Sequence, residues 1–291
     1  MPFSSFVDRR LSLRAAAMLA LAGTLAVLPA LPAAAETRVR ARYQLTLAGF
    51  EIGTASMQSG VDGSGYDMNL SLRMTGLARF ITGGRGAATS RGALRDAAVT
   101  PAAYALNTRS SDKGQVIRFA LAAGAITQIS VEPPPKTRDT VPITDADKRG
   151  VIDPLSALVM PVAGSGDPLA PSSCDRTLPI FDGRQRFDVT LRYDRFETAK
   201  GDPAVKGSYD GKLIVCKASY KAIAGHKPGR RQVTFMENNK DMEVWLAPIA
   251  GARALLPWKI SVRTEMGLAV ITATSFVVEG DAKAPGEKSN L

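Results

Sequence analysis

Cys174 and Cys216 are the only cysteines and His226 the only histidine, so thiol chemistry has a single imidazole base to draw on. A nucleophilic cysteine needs such a base within hydrogen-bond reach. His226 lies in AGHKPG, a Gly/Pro turn ten residues beyond Cys216. The competing chemistry is a bond between the two sulfurs, the ordinary fate of an even pair in an oxidising compartment. That bond would close a loop of about 43 residues, worth roughly 4 kcal/mol on the chain-entropy account. We expect the disulfide Cys174–Cys216.

Three carboxylates, Asp175, Asp182 and Asp188, crowd the stretch CDRTLPIFDGRQRFDV. Paired-carboxylate catalysis needs them to converge on a cleft in unlike environments. Asp182-Gly183 between two apolar runs reads instead as a hairpin turn. Arg186 shares a face with Asp188, where a local ion pair suffices. No spaced Cys or His ligands exist, so neither a metal nor a cofactor is expected. The Gly-x-Ser-x-Gly, P-loop, dinucleotide and His-Glu-x-x-His patterns are absent, and no catalytic residue is assigned. TGGRGAATSRG has Thr89 where a third glycine would complete a dinucleotide fingerprint. It reads as a flexible bend beside Arg85 and Arg91, with anion binding as the alternative.

The elements that would position these residues are strands. Apolar residues alternate with polar ones at Tyr43, Leu45 and Leu47; at Ile117, Phe119 and Leu121; at Phe187, Val189, Leu191 and Tyr193; at Met242, Val244 and Leu246; and at Trp258, Ile260 and Val262. Period-two runs bounded by Gly, Pro, Asn and Asp turns predict antiparallel strands with one buried face. Trp245 falls on the polar face of its strand. If exposed it is the candidate interface residue; if a loop covers it, it is packing. VEPPPKTRDTVPITDADKRG is too rich in Pro and charge for a central strand. Beyond it, Asp153 as cap and Pro154 as first residue predict one short amphipathic helix near residues 154–160. We expect an all-β, mainly antiparallel chain, a curved open sheet or barrel-like, interrupted by this excursion.

The N-terminus speaks to compartment. Arg9, Arg10 and Arg14 precede the apolar run AAAMLALAGTLAVLPAL, which ends in PAAAE. Basic, apolar and small-residue regions in that order predict a secretory signal peptide over residues 1–35, cleaved after Ala35. The remaining organisation would be one β-rich domain over 36–280 and a polar tail over 281–291. The net charge of +10, less three arginines and one aspartate, leaves +8 on the exported chain. A basic surface suits anionic partners. Basic residues are spread without stacking aromatics, so nucleic acid is not expected. No second apolar run is long enough to span a bilayer.

Several segments together carry a family resemblance: YQLTLAGFEIGTASM, TGLARF, RGVIDPLSALVMPV, CDRTLPIFDGRQRFDV, GHKP, EVWLAPI and LLPWKISVRTEMGLAVITATSFV. The chain resembles exported bacterial proteins carrying domain of unknown function 3108, over nearly all of the sequence after the signal peptide. The resemblance implies an antiparallel β fold of barrel-like or curved-sheet type and brings no catalytic residue with it. More loosely, the architecture is similar to periplasmic lipoprotein carriers with open, spiral sheets. The expected function is that of a non-enzymatic periplasmic envelope protein. Its ligand or partner would be a lipid or other apolar or amphipathic molecule, a lipoprotein, or an anionic envelope polymer. A hydrolase-like enzyme acting on envelope components and a structural interaction scaffold are the alternatives.

Overall fold

The computed structural model describes residues 37–75, 84–95, 97–110, 113–201, 203–204 and 208–279. The expected signal peptide over 1–35, with its cleavage site at Ala35, and the tail over 281–291 lie outside the described residues. The first strands are β1 (Thr37–Leu47), β2 (Phe50–Val61), β3 (Gly65–Met74), β4 (Arg85–Arg95), β5 (Ala98–Ser110), β6 (Lys113–Ala122) and β7 (Ala125–Glu132). After a long excursion come β8 (Met160–Pro161), β9 (Arg176–Phe181), β10 (Arg186–Ala199), β11 (Gly211–Ala224), β12 (Met242–Pro248), β13 (Ala254–Thr264) and β14 (Gly267–Glu279). They form one sheet in the order β7-β6-β5-β4-β3-β2-β1-β14-β13-β12-β11-β10-β9, with β8 added beside β13.

Every ladder is antiparallel, and nearly every neighbour in space is a neighbour in sequence, so hairpins suffice to build the sheet. The exceptions are the short β8 beside β13 and the pairing of β1 with β14, which joins the two halves. Tyr43, Leu45, Ile117, Phe119 and Leu121 are all buried, as their alternation requires. Trp258 is half-buried against the same core.

The sheet is open, with β7 and β9 as its edges. Its curvature nevertheless brings the two ends together. The Phe119 ring from β6 meets Phe181 from β9 at 5.8 Å between centroids. Gly183, in the β9–β10 turn, lies so near β6 that an added Cβ would sit 2.5 Å from Ile117 Cγ2. Part of the excursion then runs between the edges. Val151 donates its N–H to Gly124 O, at the β6–β7 turn, at 3.3 Å. Ile152 donates to Pro179 O at 2.9 Å and accepts from Phe181 N–H at 2.9 Å. A single segment thus bridges what no ladder closes.

Two expectations need correction. The helix near residues 154–160 is a 3₁₀ turn, Ser156–Leu158. Its carboxylate cap is present, because Asp153 Oδ1 accepts the N–H groups of Leu155 and Ser156 at 2.9 Å each. The turn stops early because Val159 passes straight into β8, and Leu155 and Val159 are already buried in the core. Among the described residues the one α-helix, α1 (Arg231–Glu237), lies between β11 and β12; it buries no residue fully and has no side-chain cap, which left no amphipathic signal. The second correction concerns TGGRGAATSRG. From Arg85 onward it is the regular strand β4, not a flexible bend. Its inward positions are Gly86, Ala88 and Ser90, small residues that carry little apolar signal.

Candidate functional site: the outer face of the first half-sheet

The residues singled out for chemistry do not converge. Cys174 and Cys216 are bonded to each other, with Cα atoms 5.6 Å apart, and both are wholly buried. They sit in a small core with Met160, Leu191, Ile214 and Val244 that fastens the excursion to β10–β12. The bond leaves no thiol for His226, whose carbonyl instead accepts the Val141 N–H at 2.8 Å. Asp182 Oδ1 accepts from the N–H groups of Arg184 and Gln185 at 2.7 Å and shapes the β9–β10 turn, with Gly183 at φ 96°. Burial raises the Asp182 pKa, although these bonds oppose it. Asp188 pairs with Arg186 at 2.6 Å, and Asp175 is exposed. No cluster of three potential metal-binding side chains occurs among the described residues.

Trp245 is buried at 5% exposure, so its indole offers no surface to a partner. Its Nε1–H donates to Glu197 Oε2 at 2.9 Å, and Lys259 Nζ stands 4.1 Å from the ring centroid. The ring belongs to the main apolar core, and charged side chains lie against it. Arg195 is among them, bridging Glu197 and Glu243. Burial would raise Glu243, but Arg195 and Lys217 outweigh it and hold the carboxyl below its ordinary range.

A polar cluster that sequence reasoning missed lies inside the first half-sheet. Asp153 and Ser156 are wholly buried, and Ser90 and Tyr66 nearly so. Asp153 Oδ2 accepts from Ser90 Oγ at 2.9 Å and from Ser156 Oγ. Tyr66 OH lies 2.6 Å from Ser156 Oγ. Burial raises the Asp153 pKa more than its four donors lower it, and pushes Tyr66 up to about 12. The group anchors the 3₁₀ turn to β3 and β4. Only the acid-cap spacing Asp153-Pro154 signalled any of it.

The accessible surface lies on the opposite face of these strands. In-register pairing sets side chains in rows across β3–β7. One row is Asp67, Arg91, Ala103, Ala120 and Gln128. The next is Asn69, Thr89, Ala105, Arg118 and Ser130. Together they line a trough of about 650 Å³. Its floor is alanine at 103, 105 and 120, and its walls carry Arg91 and Arg118. A second trough of about 650 Å³ follows on β2–β5, lined by Thr54, Ser56, Ser71, Arg73, Arg85 and Arg109 among others. Both present arginine, threonine and serine side chains along their lining.

The fold and this face describe a curved antiparallel sheet with a filled interior and a basic exterior. The family described as "Protein of unknown function (DUF3108)" matches residues 42–274, and the chain belongs to that family. No curated protein matches. Among solved structures the chain is similar to a β-barrel-like protein of domain of unknown function DUF1849 from Brucella abortus. That similarity has 10% identity and a TM-score of 0.47, covering 84% of this chain and 98% of that one.

Proposed function

We propose that the protein is an exported, non-enzymatic binding protein of the bacterial envelope, working in the periplasm, whose partner docks on the outer face of β3–β7. The observation that supports this reading most is the alanine floor. Alanine is depleted from strands because it packs little surface on a pleated sheet. Three alanines side by side at 103, 105 and 120 forgo cross-strand packing and leave the backbone open to a partner. The interior is a poorer host for a ligand. Tyr104 and Phe119 point inward with centroids 4.9 Å apart, and Phe119 in turn meets Phe181.

The test is a photo-crosslinking side chain placed at Ala105 in cells, with Lys221 on β11 as the control position. A discrete adduct at 105 and none at 221 is expected, and Ala105→Trp in a strain carrying untagged protein should abolish competition for that adduct. Equal adducts at both positions, or none at 105, would sink the docking reading. The export reading is checked separately by intact-mass measurement of osmotic-shock fluid, where the chain should begin at Glu36.

A further inference from the structure

Three arginines stand in one cross-strand row on the outer face: Arg73 opposite Arg85, and Arg85 opposite Arg109. All three are exposed. Like charges directly opposite one another destabilise a sheet, with Cβ atoms only about 5 Å apart. In one charged cluster of the other half-sheet, by contrast, Glu243 pairs with both Arg195 and Lys217. Here no ion pair or hydrogen bond to a described residue engages any of the three guanidiniums. The residues 76–83 that join β3 to β4 contain no acid. Asp112, which follows β5 in the sequence, lies outside the described residues. Glu51 on β2 is taken by Gln44 Nε2 at 2.8 Å and Thr75 Oγ1 at 3.1 Å.

The groups that flank the row are hydrogen-bond donors. Thr54 lies opposite Arg73 and extends the row. Ser56, Ser71, Ala87 and Asn107 make up the adjacent row, again in register. These side chains and the arginines line the same trough of about 650 Å³. A guanidinium presents a planar fork of donors that matches phosphate oxygens and sheds its hydration readily. Three forks at about 5 Å intervals span about 10 Å, the reach of two or three linked phosphates rather than of one carboxylate.

We propose that Arg73, Arg85 and Arg109, with Thr54, Ser56, Ser71 and Asn107, form a binding site for the phosphate oxyanions of an anionic ligand. The site names the ligand chemistry of one part of the face assigned above, and so rests on that assignment. The phosphate can belong to a soluble oligophosphate or to a lipid headgroup, and the experiment separates the two sources.

Calorimetry with inorganic tripolyphosphate is run on the wild-type protein, on R73Q/R85Q/R109Q, and on K136Q/K221Q/K227Q, which removes equal charge from other exposed positions. Co-sedimentation with phosphatidylglycerol and phosphatidylcholine vesicles is run on the same three proteins. The arginine variant should lose about tenfold or more in affinity for tripolyphosphate, for phosphatidylglycerol vesicles, or for both. The lysine variant should lose less than about twofold, since remote charges act only through a screened field. Loss confined to tripolyphosphate assigns a soluble ligand, and loss confined to phosphatidylglycerol a headgroup. The ligand-free arginine variant should also melt roughly 1–2 °C higher, because the repulsion is gone. Equal losses in the two variants, or no binding by the wild type, would overturn the site. Crosslinking at Ala105 would survive that result, so the wider docking face can stand when the phosphate site falls.

Discussion

At the scale of single residues, Asp153 has the largest structural burden. Its carboxyl is wholly buried and accepts from two backbone N–H groups and two serine hydroxyls. Asp153→Ala would leave those donors without a partner in a dry site, and should cost about 3 kcal/mol in urea unfolding. The pH dependence follows from the direction of its shift. Burial raises the folded pKa above the unfolded one. A folded carboxyl that holds its proton better favours folding below the ordinary carboxylate range of about 4. That contribution is lost as pH rises through the folded value. The stability gap between wild type and Asp153→Ala should therefore narrow from acid toward neutral pH. A gap that widens would mean that the four donors, not burial, dominate the site.

At the scale of elements, strand contact depends on glycine at one position in particular. Gly92 sits at a bulge where β4 meets β5. A Cβ there would lie 2.3 Å from Thr100 O and 2.8 Å from Tyr66 OH. Gly92→Ala must push β5 away or displace the tyrosine that bonds Ser156, so a loss of about 3 kcal/mol is expected. Gly166, in the open loop before β9, has nothing within 4 Å of its Cβ direction. Gly166→Ala should change stability by less than about 0.5 kcal/mol, and thermal melting of the two variants compares them directly. The long strands around position 117 were legible from their alternation, as was the Asp182-Gly183 turn. Strand β4 was not, because the residues that face inward, Gly86, Ala88 and Ser90, lack the large apolar side chains that mark a buried face.

For the whole molecule, closure depends on one segment. Val151 and Ile152 connect the β6–β7 turn to β9 where no ladder joins the edges. Ile152→Pro removes the N–H that bonds Pro179 O. Hydrogen exchange should then rise about tenfold or more in β7 and β9 while β1–β3 keep their protection, as expected for a locally opened unit. A uniform rise across all strands would show that the segment is no special latch. The disulfide lies on the same excursion, and together they hold a chain with many sequence-local hairpins in a curled form.

The sequence by itself determined the antiparallel strands, the turn at Asp182-Gly183, the cap at Asp153 and the pairing of its two cysteines. These rest on local pattern or on elimination: period-two burial, turn chemistry, and the one partner available to each sulfur. Only the tertiary structure decided that the sheet stays open yet bridged. It alone buried Trp245 with Arg195 and Lys259 against its ring, and aligned Arg73, Arg85 and Arg109. Those outcomes depend on register and curvature, which bring together residues 12 and 24 positions apart. No local preference encodes which exposed arginine will stand opposite another.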